Sequence, residues 1–455
     1  MRGHMLTRAL WIAAACGLGS AASAADKPVI GKICLNCHQA QAGSLRGYFD
    51  NVAFKSRSIQ IRMDDAVEIV HFDPKALEVV AGAKKESAEF LREVKKAHEI
   101  RIAYVEKDGI KHATSVSLKQ PMKVPAEMVI GTAEVEKLVA AGPEKGAYTL
   151  VDSRPPPRFQ EGYIPTAVNL PFPAFDKNVD KLPADKGRLV VFYCAGPTCS
   201  MSPKSVEKAK ALGYTNVRIY HDGMPAWSKT HYALLAPQHV KEAWFDKEIP
   251  AVLLDVRPAA EAQAGFIKGA VGMPLAGLDP KALPPADKKP PVIVYDAGNG
   301  EAAAAAAAKI IGAGHTNVKV LAGGLEAWKA AGYPVESGKL AEKAVWAPKP
   351  RPGELPFDEF MKLAKAPPAD TLILDVRNDD EAQHGMIHGA KQIPAEDLDK
   401  RLGDLPKDRR IVTHCSTGVR AEMAFHLLKE KGFEKVHFLN VAVDVDSRGQ
   451  VKLHQ

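Results

Sequence analysis

Ile411-Val-Thr-His-Cys415-Ser-Thr-Gly418-Val-Arg420 is the stretch that decides the fold, because altered forms of it occur three times in the chain. In each form an apolar run stops on one polar or reactive residue, and a short loop then leads into a helical pattern. The two other runs are Val190-Val-Phe-Tyr-Cys194 and Val292-Ile-Val-Tyr-Asp296. The last residue of the run is therefore cysteine in copies one and three and aspartate in copy two.

A second phrase precedes each run at nearly the same distance. It begins with an Asp-x-Arg triplet, and a Gly-x-Ile triplet follows about ten residues later, a regular spacing that indicates tandem domains. The triplets are Asp152/Arg154, Asp255/Arg257 and Asp375/Arg377. Because this pair persists in copy two, which has lost the cysteine, we expect a structural ion pair in all three copies rather than a catalytic one.

The pattern within each copy predicts a parallel-sheet α/β domain. A copy opens with an amphipathic helix, as over residues 133–141, and strands then alternate with helices. The predicted ranges are 132–236 for copy one, 240–340 for copy two and 356–455 for copy three. Copies one and two close on Asp222-Gly-Met-Pro-Ala-Trp227 and Gly323-Gly-Leu-Glu-Ala-Trp328. Copy three lacks this phrase, so its last elements stay open.

The N-terminus predicts export. Residues 1–24 have the form of a signal peptide: Arg2 and Arg8 precede an apolar run over 9–18, and Ala22-Ser-Ala24 is a small-residue cleavage site. The apolar run is shorter than the roughly 20 residues that a membrane span needs, and we expect no span elsewhere. A lipoprotein anchored through Cys16 is the alternative. We therefore expect a periplasmic protein.

Length and charge restrict the classes of function further. A chain of 455 residues is too long for one core, so three or four domains are expected. The formal net charge of +7 is mildly basic and, without a clustered basic stripe, it favours small anionic substrates over nucleic acid.

A Cys-x-x-Cys-His motif follows the predicted cleavage site, as Cys34-Leu-Asn-Cys37-His38. In an exported protein this motif is the attachment signature of c-type haem. The sequence thus predicts one covalent haem c, with thioether bonds to Cys34 and Cys37 and His38 as the iron ligand. A disulfide between the two cysteines and half of a zinc site are the alternatives. Zinc would need a second ligand pair, and the next cysteine is Cys194.

Residues 25–125 are expected to form a small β-rich module that bears this haem at its N-terminal edge. Apolar alternation predicts strands over 52–63 and 67–72, and Lys107-Asp108-Gly109 predicts a hairpin between strands 99–106 and 110–118. One helix is predicted over 87–97. The distal haem ligand stays open among five candidates: Lys55, Met63, His71, His98 and His112.

The Asp-x-Arg and Gly-x-Ile phrases, with the strand–cysteine–loop–helix unit, resemble the rhodanese sulfurtransferase family over about residues 132–455. The resemblance implies three tandem rhodanese-like domains behind the β-rich module. It also implies that Cys415 is the nucleophile, that Arg420 binds the substrate, and that the loop between them holds sulfur. That substrate-binding loop consists of Ser416, Thr417, Gly418 and Val419.

The chemistry of the copy-three loop agrees with that implication. A short loop at a helix N-terminus points backbone N–H groups at one spot, and the helix dipole adds positive potential there. Such a place raises the thiolate fraction of Cys415 and stabilises its persulfide. Arg420 can pair with an oxyanion such as thiosulfate, and Gly418 permits the tight backbone. A buried structural cysteine is the alternative.

The other two copies depart from this loop. Copy one has Cys194 in the nucleophile position and Cys199 in the place of the arginine, so thiosulfate is not expected to suit it. Cys199 can resolve a persulfide, or the two cysteines can form a structural disulfide. Copy two has Asp296 and Glu301 in those positions, which excludes sulfur capture. We interpret copy two as a scaffold, with a cation site as the alternative.

Three functions fit these features. The first is an exported sulfurtransferase in which Cys415 takes sulfane sulfur from thiosulfate or polysulfide and passes it to a thiol or cyanide, coupled to the haem. The second is a periplasmic electron-transfer cytochrome, with a redox partner protein, that uses the rhodanese copies as sulfur carriers or docking modules. The third is a scaffold with little turnover. The intact copy-three loop favours the first function over the third.

Overall fold

The computed structural model describes residues 27–453 except Ile33, Cys37 and Asp65. The predicted signal peptide, Cys16 and the second haem-attachment cysteine, Cys37, therefore lie outside the described residues. Within the described part of the chain, no helix is both long and apolar enough to cross a membrane.

The N-terminal part, called the β-module below, is a seven-stranded sheet. Its strands are β1 (Ser44–Ala53), β2 (Ser58–Met63), β3 (Ala66–Phe72), β4 (Glu78–Ala81), β5 (Lys84–Glu86), β6 (Glu99–Lys107) and β7 (Ile110–Leu118). They lie in the order β3-β2-β1-β6-β7-β4-β5, and β3 also pairs with β7. This extra pairing closes five strands into a small barrel. Apolar side chains such as Phe49, Ile59 and Ile102 fill it.

The structure of the β-module agrees with some of the elements predicted from the sequence and differs from others. The predicted hairpin forms as a two-residue turn: Lys107 pairs with Ile110, and Asp108 and Gly109 both have the positive φ angles that such a turn requires. The strand predicted over 52–63 is wrong, because a turn between Ala53 and Ser58 divides it into β1 and β2. The helix predicted over 87–97 is reduced to a 3₁₀ turn, Ala88–Arg92.

Three parallel sheets follow, one for each copy. Copy one contains β8 (Tyr148–Asp152), β9 (Val168–Asn169), β10 (Leu189–Tyr193) and β11 (Val217–Tyr220). Copy two contains β12 (Ala233–Leu235), β13 (Val252–Asp255), β14 (Val271–Gly272), β15 (Val292–Tyr295) and β16 (Val318–Leu321). Copy three contains β17 (Glu354–Leu355), β18 (Thr371–Asp375), β19 (Lys391–Gln392), β20 (Arg410–His414) and β21 (Val436–Leu439).

The three sheets share a four-strand core of one topology, and copies two and three each add a fifth strand at one edge. Their orders are β11-β10-β8-β9, β12-β16-β15-β13-β14 and β17-β21-β20-β18-β19, and all these pairs are parallel. The predicted α/β class is therefore confirmed. The edge strand β12 lies in the range that the sequence assigned to copy one, yet it belongs to the sheet of copy two. A three-residue apolar strand has no local signal for the sheet that it joins.

Helices flank these sheets. They are α1 (Thr132–Lys145), α2 (Pro156–Gln160), α3 (Met201–Ala211), α4 (Gly223–Thr230), α5 (Pro237–His239), α6 (Ala259–Ala264), α7 (Glu301–Gly312), α8 (Gly324–Ala330), α9 (Phe357–Lys365), α10 (Asp379–Ala382) and α11 (Val419–Glu430). In copy one α4 follows β11, and in copy two α8 follows β16. In copy three a hairpin of β22 (Val443–Val445) and β23 (Val451–Leu453) follows instead.

The Asp-x-Arg triplet builds the same buried ion pair three times, as predicted. The Nη2–Oδ2 distances are 2.6, 2.5 and 2.5 Å in copies one, two and three. Each arginine also donates to the carbonyl of the glycine in the Gly-x-Ile triplet: Gly162, Gly265 and Gly385. The pair thus fixes the loop after the first strand. Loss of one partner would leave the other charge buried and unpaired, which destabilises the folded state by about 3–5 kcal/mol.

The β-module lies against both cysteine-bearing copies. On the side of copy three, α11 packs on β1 and β3, and Lys55 Nζ lies 3.2 Å from Asp380 Oδ2. On the side of copy one, Met122 N–H donates to the carbonyl of Pro197, in the loop that follows Cys194. The module therefore contacts the regions around both thiol loops.

Candidate functional site

Cys415 comes directly after β20, and its thiol is held in a tight loop. The thiol is fully buried, and the backbone N–H of Gly418 donates to its Sγ at 3.2 Å. Gly418 has φ 86°, and a Cβ there would lie 3.0 Å from the carbonyl carbon of Asn440, so glycine is required. The helix α11 begins at the next residue, Val419, so its N-terminus faces the loop. The N–H of Gly418 and the helix N-terminus therefore both direct positive potential at the sulfur.

Copy two supports this view of the loop as an anion cradle. Asp296 occupies the position of Cys415 and is buried, and its two carboxylate oxygens accept the N–H groups of Gly300 and Ala303 at 3.2 Å. The loop of copy two thus directs backbone N–H groups at an acceptor in the position where copy three has its thiol. The described residues contain no cluster of three or more potential metal ligands, and Glu301 is exposed at the start of α7.

Arg420 does not lie open to substrate. It is 4% exposed. Its guanidinium donates two hydrogen bonds to the Glu381 carboxylate, from Nη1 to Oε2 at 2.6 Å and from Nη2 to Oε1 at 2.8 Å. Asn378 Oδ1 and Ser416 Oγ accept two more, each at 2.9 Å. Burial acts to raise the pKa of Glu381, but the Arg420 guanidinium outweighs burial and lowers that pKa to about 2.

Sequence reasoning missed Glu381, which lies 39 residues before Arg420. Locally it forms a capping box with Asn378 at the start of α10, which does not predict the contact with Arg420, because tertiary packing brings α10 against the loop. The β-module adds a further group, since Lys55 Nζ lies 3.4 Å from Glu381 Oε2. Lys55 also pairs with Asp380. Both of these side chains are more than half exposed, so their ion pair contributes only about 0–1 kcal/mol to stability. An incoming oxyanion therefore has to compete with the Glu381 carboxylate for Arg420.

The residue before Cys415 also differs from its equivalents in the other copies. Tyr193 and Tyr295 each accept a backbone N–H on the hydroxyl oxygen at 3.1 Å, from Ile164 and Ile267. Copy three has His414 there, fully buried, with neither ring nitrogen in a hydrogen bond to a described residue. Burial lowers the pKa of His414 to about 4, so the ring is neutral at pH 7.

Replacing Arg420 by lysine is expected to raise the KM for thiosulfate about tenfold with a smaller change in kcat. A lysine keeps the charge but loses the planar fork that binds two oxygens at once. Steady-state kinetics with varied thiosulfate would measure the effect, and Arg92→Lys, on an exposed turn of the β-module, is the control. Unchanged thiosulfate kinetics in the Arg420 variant would show that Arg420 does not bind this oxyanion.

In copy one the two thiols have unequal surroundings. Both are free in the structure, so no disulfide joins them. Cys194 is sealed in, with Ser202 Oγ 3.1 Å from its Sγ. Cys199 lies at the wall of a cavity of about 590 Å³ between copy one and the β-module. The residue predicted as a resolving thiol is thus the one that faces a cavity.

Hydrogen bonds separate the two thiols further. The Cys194 thiol donates to the backbone carbonyl of Cys199, with its Sγ 3.6 Å from that oxygen. The Cys194 side chain makes the largest contribution to lowering the pKa of Cys199 to about 6, and the backbone N–H groups of Met201 and Ala195 act in the same direction. Burial raises the pKa of Cys194 well above its usual range. Of the two thiols, Cys199 therefore has the lower pKa.

The predicted haem site can be tested on His38 and its surroundings. Its Nε2 atom is buried without a well-formed hydrogen bond, 3.2 Å from Glu99 Oε1. Burial lowers the pKa of His38, which favours the neutral ring that a metal ligand needs. An apolar groove of about 550 Å³ borders the motif and is lined by Val29, Ile30, Leu35 and Met63, among others. A neutral His38 ring and an apolar groove beside the motif are two features that a haem site needs.

The five candidate distal ligands are scattered. Met63 lines the groove beside the motif, and His98 lines the cavity that Cys199 faces. The remaining three lie elsewhere. Lys55 and His71 face acidic residues of copy three, Asp380 and Asp399, and His112 stacks near His71 with ring centres 6.0 Å apart.

Comparison with known proteins agrees with the repeated fold. Three segments, residues 133–230, 237–331 and 357–444, match the Rhodanese-like domain family. These segments make up more than half of the chain, one in each copy. The chain therefore belongs to the rhodanese-like family.

Individual relatives align over single copies. A sulfurtransferase of Allochromatium vinosum is 35% identical over 78 residues, which are 17% of this chain and 73% of that protein. The HTH-type transcriptional regulator Rv0324 of Mycobacterium tuberculosis is 38% identical over 84 residues, which are 18% of this chain but only 36% of that protein. The chain thus spans about a third of that regulator.

Among solved structures, the thiosulfate sulfurtransferase of Pseudomonas aeruginosa aligns with 70% of this chain and 67% of its own. The sequence identity is 21% and the TM-score is 0.21.

Proposed function

We propose that this protein is an exported sulfurtransferase that carries sulfane sulfur on Cys415 and bears one c-type haem. The observation that carries the proposal is the copy-three loop, where a buried thiol, a glycine N–H donated to its sulfur and a helix N-terminus meet. Membership of the rhodanese-like family and the relative named as a sulfurtransferase support it.

The reaction runs in two balanced steps. The Cys415 thiolate attacks the outer sulfur of thiosulfate, the S–S bond of thiosulfate breaks, and sulfite leaves with the electron pair. A thiolate or cyanide acceptor then attacks the outer sulfur of the Cys415 persulfide, the new S–S bond breaks, and the Cys415 thiolate is regenerated. The N–H of Gly418 and the dipole of α11 stabilise the negative charge on sulfur in both steps.

Glu381 bears on the choice of sulfur donor. Thiosulfate needs Arg420 for its sulfonate oxygens, so it must displace a carboxylate that holds Arg420 with two hydrogen bonds. Polysulfide has no oxyanion group and leaves the Arg420–Glu381 pair intact. We therefore propose that both donors are used and that thiosulfate binds the more weakly of the two.

The test is to incubate the purified full-length protein with thiosulfate or with polysulfide, and to follow thiocyanate formation after cyanide is added. Mass spectrometry of samples taken before cyanide is added is expected to find one added sulfur, about 32 Da, on the peptide that contains Cys415. Sulfur transfer without any persulfide on Cys415 would contradict the proposal.

The haem would supply one-electron redox chemistry, and Cys34, Cys37 and His38 would hold it. Its place in this function rests on the motif, the buried Nε2 atom of His38 and the apolar groove. Export rests on the first 24 residues, which lie outside the described part of the chain.

A second function, an electron-transfer cytochrome with the rhodanese copies as docking or sulfur-carrier modules, is favoured by one observation. The β-module contacts the regions of both cysteine loops, through Lys55 on copy three and Met122 on copy one. A haem protein without sulfur-transfer activity, but reduced or oxidised by a partner, would favour this second function.

A further inference from the structure

We propose that the cavity between the β-module and copy one is a second sulfur site, in which Cys199 accepts the sulfane sulfur of a small organic persulfide. The site goes beyond the function proposed above, because it uses no residue of the Cys415 loop.

The size and walls of the cavity favour an organic ligand. Its volume is about 590 Å³, within the roughly 300–1,000 Å³ of cavities that bind organic molecules. A thiosulfate ion would leave most of this space empty. Apolar groups dominate the walls, and methionine side chains adapt to ligands of varied shape. The main apolar residues are Tyr48, Pro155, Met201, Met224 and Pro225.

Cys199 is the thiol that this cavity presents. The backbone N–H groups of Ala195 and Met201 interact with its sulfur. Such donors stabilise a thiolate and, after sulfur transfer, a persulfide anion. Cys194 is 1% exposed, does not line the cavity, and donates to the backbone carbonyl of Cys199 at 3.6 Å. The cysteine at the usual nucleophile position of copy one is thus a positioning residue.

Copies one and three differ at two equivalent positions, one of which holds the loop arginine in copy three. Six residues after the Asp-x-Arg aspartate, copy three has Glu381 and copy one has Arg158. Five residues after the cysteine that ends the strand, copy three has Arg420 and copy one has Cys199. In copy one these two positions thus hold a guanidinium and a thiol, both on the walls of one cavity.

Cationic groups in the walls select an anionic ligand. Lys119 of the β-module lies close enough to help lower the pKa of Cys199, and it pairs with Glu99 at 2.5 Å. Arg158 pairs with Glu161 at 2.7 Å, but its side chain is 43% exposed, so a ligand carboxylate can replace that partner at little cost. The ligand class is therefore a low-molecular-weight persulfide that carries a carboxylate.

The transfer step balances without an external oxidant. The Cys199 thiolate attacks the outer sulfur of the persulfide RSSH, a Cys199–sulfur bond forms, and the RS–S bond breaks. The thiolate RS⁻ leaves with the electron pair and takes a proton from water. The product is the Cys199 persulfide.

The test uses full-length, haem-matured protein with the Cys415→Ser substitution, so that copy three carries no sulfur. The protein is treated with glutathione persulfide or with thiosulfate, alkylated, digested and sequenced by fragmentation mass spectrometry, which distinguishes Cys194 from Cys199. The expected result is a persulfide on Cys199 with glutathione persulfide, and at least about tenfold less with thiosulfate. Cys199→Ser should remove the label.

Arg158→Gln should slow labelling of Cys199 by glutathione persulfide about tenfold, since it removes a charge-assisted contact to the ligand. Arg92→Gln is the matched control, because Arg92 forms the same kind of exposed pair, with Glu89 at i−3, away from the cavity. Labelling of Cys194 alone, a Cys194–Cys199 disulfide without persulfide, or no label in either residue would each overturn the proposal. Sulfur loading of Cys415 by thiosulfate, measured in the Cys199→Ser protein, tests the Cys415 function separately.

Discussion

The Cys415→Ser variant is expected to lose thiosulfate:cyanide sulfur transfer, with kcat lower by on the order of a thousandfold, because the atom that forms the persulfide is gone. Serine is nearly isosteric with cysteine, so the fully buried position should still fold. The assay is thiocyanate formation at saturating thiosulfate, and thermal unfolding of the variant checks the fold.

Cys194→Ser provides the comparison that assigns the active copy. It is expected to retain at least about half of the activity, because copy one has no arginine in its loop and Cys194 is sealed behind Cys199. Inactivity of the Cys194 variant beside an active Cys415 variant would reverse the assignment. Loss of activity in both variants would mean that sulfur passes through both copies.

The repeated fold could be predicted from the sequence because its signals lie within short stretches of neighbouring residues. Apolar runs of four or five residues that end at the same kind of loop predict buried parallel strands wherever they occur. The hairpin at Asp108-Gly109 was equally local, since the positive φ angles of both residues are encoded by the residues themselves. The ion pair of the Asp-x-Arg triplet followed from a comparison between the copies, which needs no structure.

The unpredicted features all depend on residues that are far apart in sequence. Glu381 meets Arg420 across 39 residues, and the pairing of β3 with β7 closes the barrel across a similar gap. Copy one shows the same limit. The offset identified Cys194 as the nucleophile position, but the cavity that Cys199 lines is built in part by Tyr48, Glu99 and Lys119 of the β-module.

The proposed haem site and the copy-one cavity share one residue of the β-module. Glu99 links the two regions, because it contacts His38 on one side and lines the Cys199 cavity on the other. Lys119 and Arg46 also pair with Glu99, at 2.5 and 3.1 Å, so a change of charge at His38 acts on the same network that faces the cavity. This arrangement places the haem motif nearer to copy one than its position in the sequence suggests.

Maturation in a host with haem-attachment machinery is expected to add one haem, about 616 Da, to the intact protein, because two thioether bonds retain the whole macrocycle and its iron. The visible spectrum should show a c-type haem. Cys34→Ser with Cys37→Ser should abolish both signals. His38→Ala should instead leave the covalent mass and alter the spectrum, because it removes the iron ligand and keeps the thioethers.

Protein from a host without this haem-attachment machinery is the control. A colourless protein of unmodified mass, or one lighter by two hydrogens, would replace the haem with free thiols or a Cys34–Cys37 disulfide. The sulfur chemistry of Cys415 would then stand without an electron-transfer partner in the same chain.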